Sequence, residues 1–264
     1  MMRPSVSPQM PAVRRGPLSP AEWVLVAGTA TLFAIAVIAP ALPQDPAYHR
    51  FADTRTLLGI PRALDVISSG GFAVVGMSGL VLVATGRLRF LSSAFAASAF
   101  VSFVGLLITA AASASYHLAP DDAGLARDRH AMAVVFAGVL GMVATERISD
   151  RAGIALASFS LLAGTASVLW WTSTGSVTPY VVVQFGGLLV VATCLLVQRH
   201  SVGPRWALML LAYALAKACE HFDAEVFALT DELVSGHTLK HVLAALAAWT
   251  IVQPLLRPRT PQER

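Results

Sequence analysis

The chain has 264 residues, of which 56% are hydrophobic and only 13% charged, with a mean hydropathy of +0.66. A soluble domain carries about 25% charged residues, so the composition excludes an ordinary soluble globular protein and points to the membrane class. The net charge of +4 and pI near 9.5 come mostly from arginines between apolar segments. That distribution is an orientation signal rather than a footprint for nucleic acid, and no nucleic-acid partner is expected.

Residues 1–20 are rich in proline and carry Arg3, Arg14 and Arg15, which reads as a disordered basic tail. An apolar run over 22–42 follows. At about 20 residues it is longer than the core of a signal peptide, so a retained N-terminal transmembrane helix is expected over 21–43. Residues 43–62 form a polar connection. Further apolar spans are expected at 63–85, 91–117, 129–146, 153–172, 179–198, 205–223 and 238–255, with a cytoplasmic tail at 258–264. Helix-length runs satisfy the backbone in lipid as helices, so the fold class is all-α: a polytopic transmembrane helix bundle of eight spans. With the N-terminus inside, twelve arginines fall on the inner side and five on the outer. Both termini are therefore expected in the cytoplasm of a multi-pass protein, in a bacterial inner membrane.

Gly76, Gly79, Gly138, Gly141, Gly186 and Gly187 lie within spans and permit close helix contact. Cys194 and Cys219 sit inside apolar segments and read as packing residues rather than a disulfide or a metal pair. Trp23, Trp170, Trp171 and Trp206 lie near span ends and read as interface anchors.

Ionisable groups in membrane helices are rare and face the bundle interior. His237 and His241 are four apart, so on a helix their rings share one face, suited to a single metal ion. Taken alone, the pair could equally be two hydrogen-bonded histidines near the membrane surface. Ser113 and His117 are also four apart, at the end of the third span. The bland alternative for Ser113 is a bond to its own helix backbone. Asp128 stands where the fourth span is expected to begin, so its simpler alternative roles are a helix N-cap or an ion-pair partner for Arg127 or Arg129. Together the three histidines form a zinc ligand set with an open position. Asp128 could orient or deprotonate a water there, and Ser113 could donate a hydrogen bond to a developing oxyanion. Lys217, Glu220 and His221 are spaced for ion pairing on one helix face; Glu220 or Asp223 could instead support a ligand imidazole. Lys240 is expected to snorkel to the interface.

Ser113-x3-His117, Asp128 and His237-x3-His241 resemble the pattern of the alkaline ceramidase family. That family belongs to a wider set of seven-helix zinc membrane hydrolases that includes the adiponectin and progestin receptors. Tyr-His-Leu-Ala-Pro-Asp-Asp (116–122), Asp-Arg (128–129), Glu-His-Phe-Asp (220–223) and Ser-Gly-His-Thr-Leu-Lys-His (235–241) resemble its bacterial ceramidase-like members. The resemblance implies a seven-helix core over 44–257 to which the first span is an extra N-terminal helix, zinc on His117, His237 and His241, Asp128 as the water-activating acid, Ser113 on the oxyanion side, and hydrolysis of an amide bond in a ceramide-like N-acyl lipid drawn from the bilayer. The acidic calcium cluster of animal and fungal relatives has no counterpart in residues 56–65, where Arg62 stands about where an acid is expected; calcium is not expected. Two other readings of the same residues are a zinc-stabilised membrane receptor or scaffold without turnover and a haem carrier. The sequence leaves the oligomeric state open.

Overall fold

The computed structural model describes residues 16–88, 92–197 and 204–256. The expected basic tail, as far as residue 15, and the tail at 258–264 lie outside the described residues. The fold is an all-α bundle: α1 (Pro20–Ile38), α2 (Ala63–Ser68), α3 (Gly70–Ala84), α4 (Ser93–Leu118), α5 (Asp122–Arg147), α6 (Asp150–Thr174), α7 (Thr178–Leu195), α8 (Trp206–His221), α9 (Asp223–Leu229) and α10 (Gly236–Leu256). A two-residue hairpin, β1 (Thr56–Leu57) and β2 (Ile60–Pro61), lies in the first connection and pairs antiparallel.

Short polar side chains start the long helices. Ser19 and Glu22 form a capping box at α1, and Ser92, Asp121 and Ser149 accept from the first turns of α4, α5 and α6. Gly175 ends α6 in the left-handed conformation that glycine adopts without strain.

Among the described residues, seven helical spans are long and apolar enough to cross a membrane, with α2 and α3 together counting as one. The remaining expected span, α8, has 16 residues. It nevertheless runs the depth of the bundle against α10. Arg205 N donates to Thr250 O at one end, and the Cys219 carbonyl abuts Gly236 at the other. A Cβ at Gly236 would overlap that carbonyl, so only glycine lets α10 begin there.

The helices are not equally enclosed. In its most apolar stretch α5 is 72% buried and α1 only 6%. α5 is the central helix, packed on α4 and α6. Small residues allow it: a Cβ on Gly138 would strike the Ser98 carbonyl of α4. α1 lies at the edge against α7, with Trp23, Phe33 and Val37 exposed. An apolar face of that kind suits lipid.

Three expectations are corrected. α5 begins at Asp122, about two turns earlier than the apolar run suggested, because the polar first turns contact protein rather than lipid. Its N-cap is Asp121, so Asp128 is not a cap but lies inside the helix. Trp171 and Trp206 are buried rather than interfacial: Trp206 donates its indole N–H to Glu146, and Trp171 packs on Arg129, whereas Trp23 and Trp170 are exposed. Cys194 is buried and Cys219 half-buried, both as free thiols.

Candidate metal centre

The bundle brings His117 from the end of α4 together with His237 and His241 from the first turns of α10. The His117–His237 ring centroids are 4.8 Å apart, and His117–His241 and His237–His241 are each 4.9 Å apart. One ring nitrogen from each lies within 4.8 Å of the other two. All three residues are buried, at 1%, 5% and 2% exposure. The rings surround a common point, the arrangement a small ion needs, rather than facing each other across a macrocycle as haem ligands would.

Whether the residues fit a metal is decided by their other partners. His117 Nδ1 is buried and has no hydrogen-bond partner. His241 Nδ1 lies 3.1 Å from the Asp65 carbonyl and 2.9 Å from Ser68 Oγ. Those contacts leave His241 Nε2 for the shared centre, as metal-bound histidines hold their second nitrogen on a carbonyl or hydroxyl. A buried imidazole without a partner is costly. A cation held by three neutral imidazoles satisfies the set, and the donor type suits zinc. The chain thus carries a histidine triad able to hold a metal ion.

The break between α2 and α3 positions His241. Asp65, Ser68 and Ser69 cluster there, and Ser68 Oγ and Ser69 Oγ both donate to the Asp65 carbonyl. Thr238 Oγ1 donates to Asp65 Oδ1 at 2.6 Å, locking α2 onto α10. Ser235 caps α10 by accepting from Thr238 N. Ser113 lies one turn before His117, with its Oγ 3.5 Å from His241 Nε2 and 3.2 Å from Ser69 Oγ.

Asp128 is 5% exposed and its Oδ1 has no partner. It lines one cavity with Ser113, His237 and His241. That cavity has a polar end, with Tyr48, Arg129, Lys217, Glu220 and Lys240, and a long apolar wall that includes Leu106, Phe136, Leu188 and Ile251. Its empty space, mouth included, is about 1240 Å³.

Asp223 and Glu220 hold neither ligand imidazole. Asp223 Oδ1 accepts from His237 N at 2.7 Å, and its Oδ2 from Ala52 N at 2.9 Å, so it fixes the backbone of a ligand and the loop above it. Glu220 pairs with Lys217 and, at 2.7 Å, with Lys240. Lys240 does not snorkel: its side chain is 13% exposed and its Nζ lies 3.5 Å from His237 Nε2. The reason is Glu220, a buried partner stronger than a distant interface.

Residues 43–62 hold what sequence reasoning missed. Phe51 stands edge-on to His117 and His237, each with centroids at 4.7 Å, and covers the triad. Arg62, at the expected calcium position, donates to the His117 and Leu118 carbonyls. His49 bonds the Tyr116 hydroxyl and Asp122. Tyr48 donates to Glu220, whose charge, with burial, pushes the phenol up to about 12 and keeps it a donor. Arg55 forms two side-chain bonds to Asp53 and holds that carboxyl below its usual range. The polar patch at Asp65–Ser69, buried in an apolar span, was the one sequence signal for the groups that orient His241. No known protein-family profile and no curated protein matches this chain.

Proposed function

We propose that the protein is a zinc-dependent membrane hydrolase of an N-acyl lipid, cleaving its amide bond within the outer leaflet. The observation that carries the reading is the shared cavity. Two histidines of the triad, His237 and His241, line it with Asp128 and Ser113, and the rest is the polar end and a long apolar wall among helices. A receptor needs neither a buried unpartnered carboxylate nor a hydroxyl beside the metal ligands.

His117, His237 and His241 would hold the ion. Bound there, zinc supplies Lewis acidity and brings the pKa of a coordinated water to about 7. Asp128 takes a proton from the attacking water and returns it to the leaving amine, as general base and then acid. The Ser113 hydroxyl donates to the oxygen that becomes negative. The apolar wall holds the acyl chain and excludes bulk water, and Phe51 closes the loop side. The resemblance to alkaline ceramidases supports the same reaction class. His241 Nδ1 is held by the Asp65 carbonyl and Ser68, and the His237 backbone by Asp223, so these two ligands are oriented before a metal arrives.

The test is fatty-acid release from N-acyl lipids by purified, zinc-loaded protein in liposomes, followed by mass spectrometry. Wild type should release fatty acid, and Asp128→Ala should keep zinc and lose release. Equal rates in the two proteins would remove Asp128 from the reaction.

A further inference from the structure

We propose that the polar end of the cavity receives an acidic group of the substrate, a carboxylate or phosphate on the amine side of the amide, with Arg129 as its counter-ion. This rests on the amide-lipid reading above and names the substrate class within it.

Arg129 is 6% exposed, yet among the described residues it forms no ion pair. Its Nη2 donates to Gln44 Oε1 at 2.7 Å, and its Nη1 is buried without a partner. The guanidinium lies over the rings of Trp171, Tyr180 and Tyr48, at 4.2, 4.9 and 5.3 Å from their centroids. Aromatic faces attract a cation but do not neutralise it. Buried charges are ordinarily paired, and an unpaired one is expensive.

Asp128 is next in the chain and within range of the Arg129 charge, but forms no contact ion pair with it. Adjacent residues on a helix do not face each other, and Asp128 Oδ1 is itself without a partner. The other two cations lining the cavity, Lys217 and Lys240, share Glu220. The lining therefore holds three cations, Arg129, Lys217 and Lys240, against two acids, Asp128 and Glu220. A divalent ion on the triad adds to the excess, and one acidic group on the ligand reduces it. A neutral diol head group would leave the Arg129 charge uncompensated. Lys240 Nζ, 3.5 Å from His237 Nε2, places a second cation beside the metal ligands. Arg129 lines the same cavity as His237, His241 and Asp128, so an acidic group paired with it lies in the space that holds the reacting amide.

The probes are three palmitoyl amides that differ only in the head: N-palmitoylglycine, N-palmitoyl phosphoethanolamine and neutral N-palmitoylethanolamine. Binding to the metal-loaded full chain in a neutral detergent is read by thermal stabilisation, and palmitate release is measured separately. At least one acid should bind about tenfold or more tightly than the ethanolamide, as expected for a desolvated charge pair, and which acid it is separates carboxylate from phosphate. Arg129→Gln should reduce that preference to about twofold with zinc content unchanged. Ethanolamide binding as tight as both acids in wild type overturns the proposal, and needs no variant to fold. Acid preference without palmitate release from any amide would sink the hydrolase reading and leave the acid subsite. Release from the ethanolamide with no acid preference would do the reverse.

Discussion

At the end of the bundle where α1 starts and α5 finishes, the acid Glu22 is satisfied several times over. It accepts from Ser149 Oγ, from Arg151 Nε and Nη2, and from Ser19 N. At the opposite end, His117 Nδ1, Asp128 Oδ1, Asp65 Oδ2 and Arg129 Nη1 are buried without partners. Both ends place charge in a low-dielectric setting; the Glu22 network closes its hydrogen bonds within the chain, with Thr145 Oγ1 nearby buried without a partner, whereas the charged groups around the triad do not. A saturated network fixes helices to one another; an unsaturated one in a cavity is the signature of a ligand. Changes at the saturated end should therefore alter stability alone, and changes at the other end should alter chemistry.

The largest effect expected is on turnover. Asp128→Ala should lower lipid hydrolysis by about 10²–10⁴, the usual loss for a general base, with zinc retained. Ser113→Ala should cost about 10²-fold, within the range for removal of one oxyanion donor; a rate unchanged from wild type would take Ser113 out of the site. Thr238→Val, which deprives Asp65 of its donor, should weaken zinc binding about tenfold in a competition titration with a chelator. At the saturated end, Glu22→Gln should lower the melting temperature by a few degrees and leave zinc content and hydrolysis as they were. Loss of zinc in that variant would break the contrast between the two ends.

The smallest effect concerns the loop over the triad. Arg55 lowers the Asp53 carboxyl pKa in the folded protein. The stabilisation is fully present above the ordinary aspartate value of about 3.9 and is lost as pH falls through the lowered one. Hydrogen exchange at residues 50–56 should rise in that acid window in wild type, while Asp53→Asn should be loosened already at neutral pH.

The spans were legible because lipid imposes a strong constraint: long apolar runs leave few alternatives, and seven of the expected eight satisfy length and composition. The triad was legible because the four-residue spacing of His237 and His241 is a helical turn, and His117 stands at the end of its own apolar run. The start of α5 was not, because its first turns face protein and carry polar side chains that resemble a loop. Lys240 was misplaced for a related reason. Position along a helix says how deep a charge lies, not whether a Glu220 waits on a neighbouring helix. The 43–62 connection was read as polar linker since its role depends on long-range contacts, Phe51 with His237 and Ala52 with Asp223, that no local pattern encodes.

The central claim is that three imidazoles from α4 and α10 hold one metal ion, and elemental analysis of the purified protein tests it most directly. Wild type should carry close to one zinc per chain, and His117→Ala, His237→Ala and His241→Ala should each lose it while remaining folded by circular dichroism. Zinc retained at wild-type level in all three variants, or a wild-type protein that takes up no divalent metal at saturating concentration, would contradict the account.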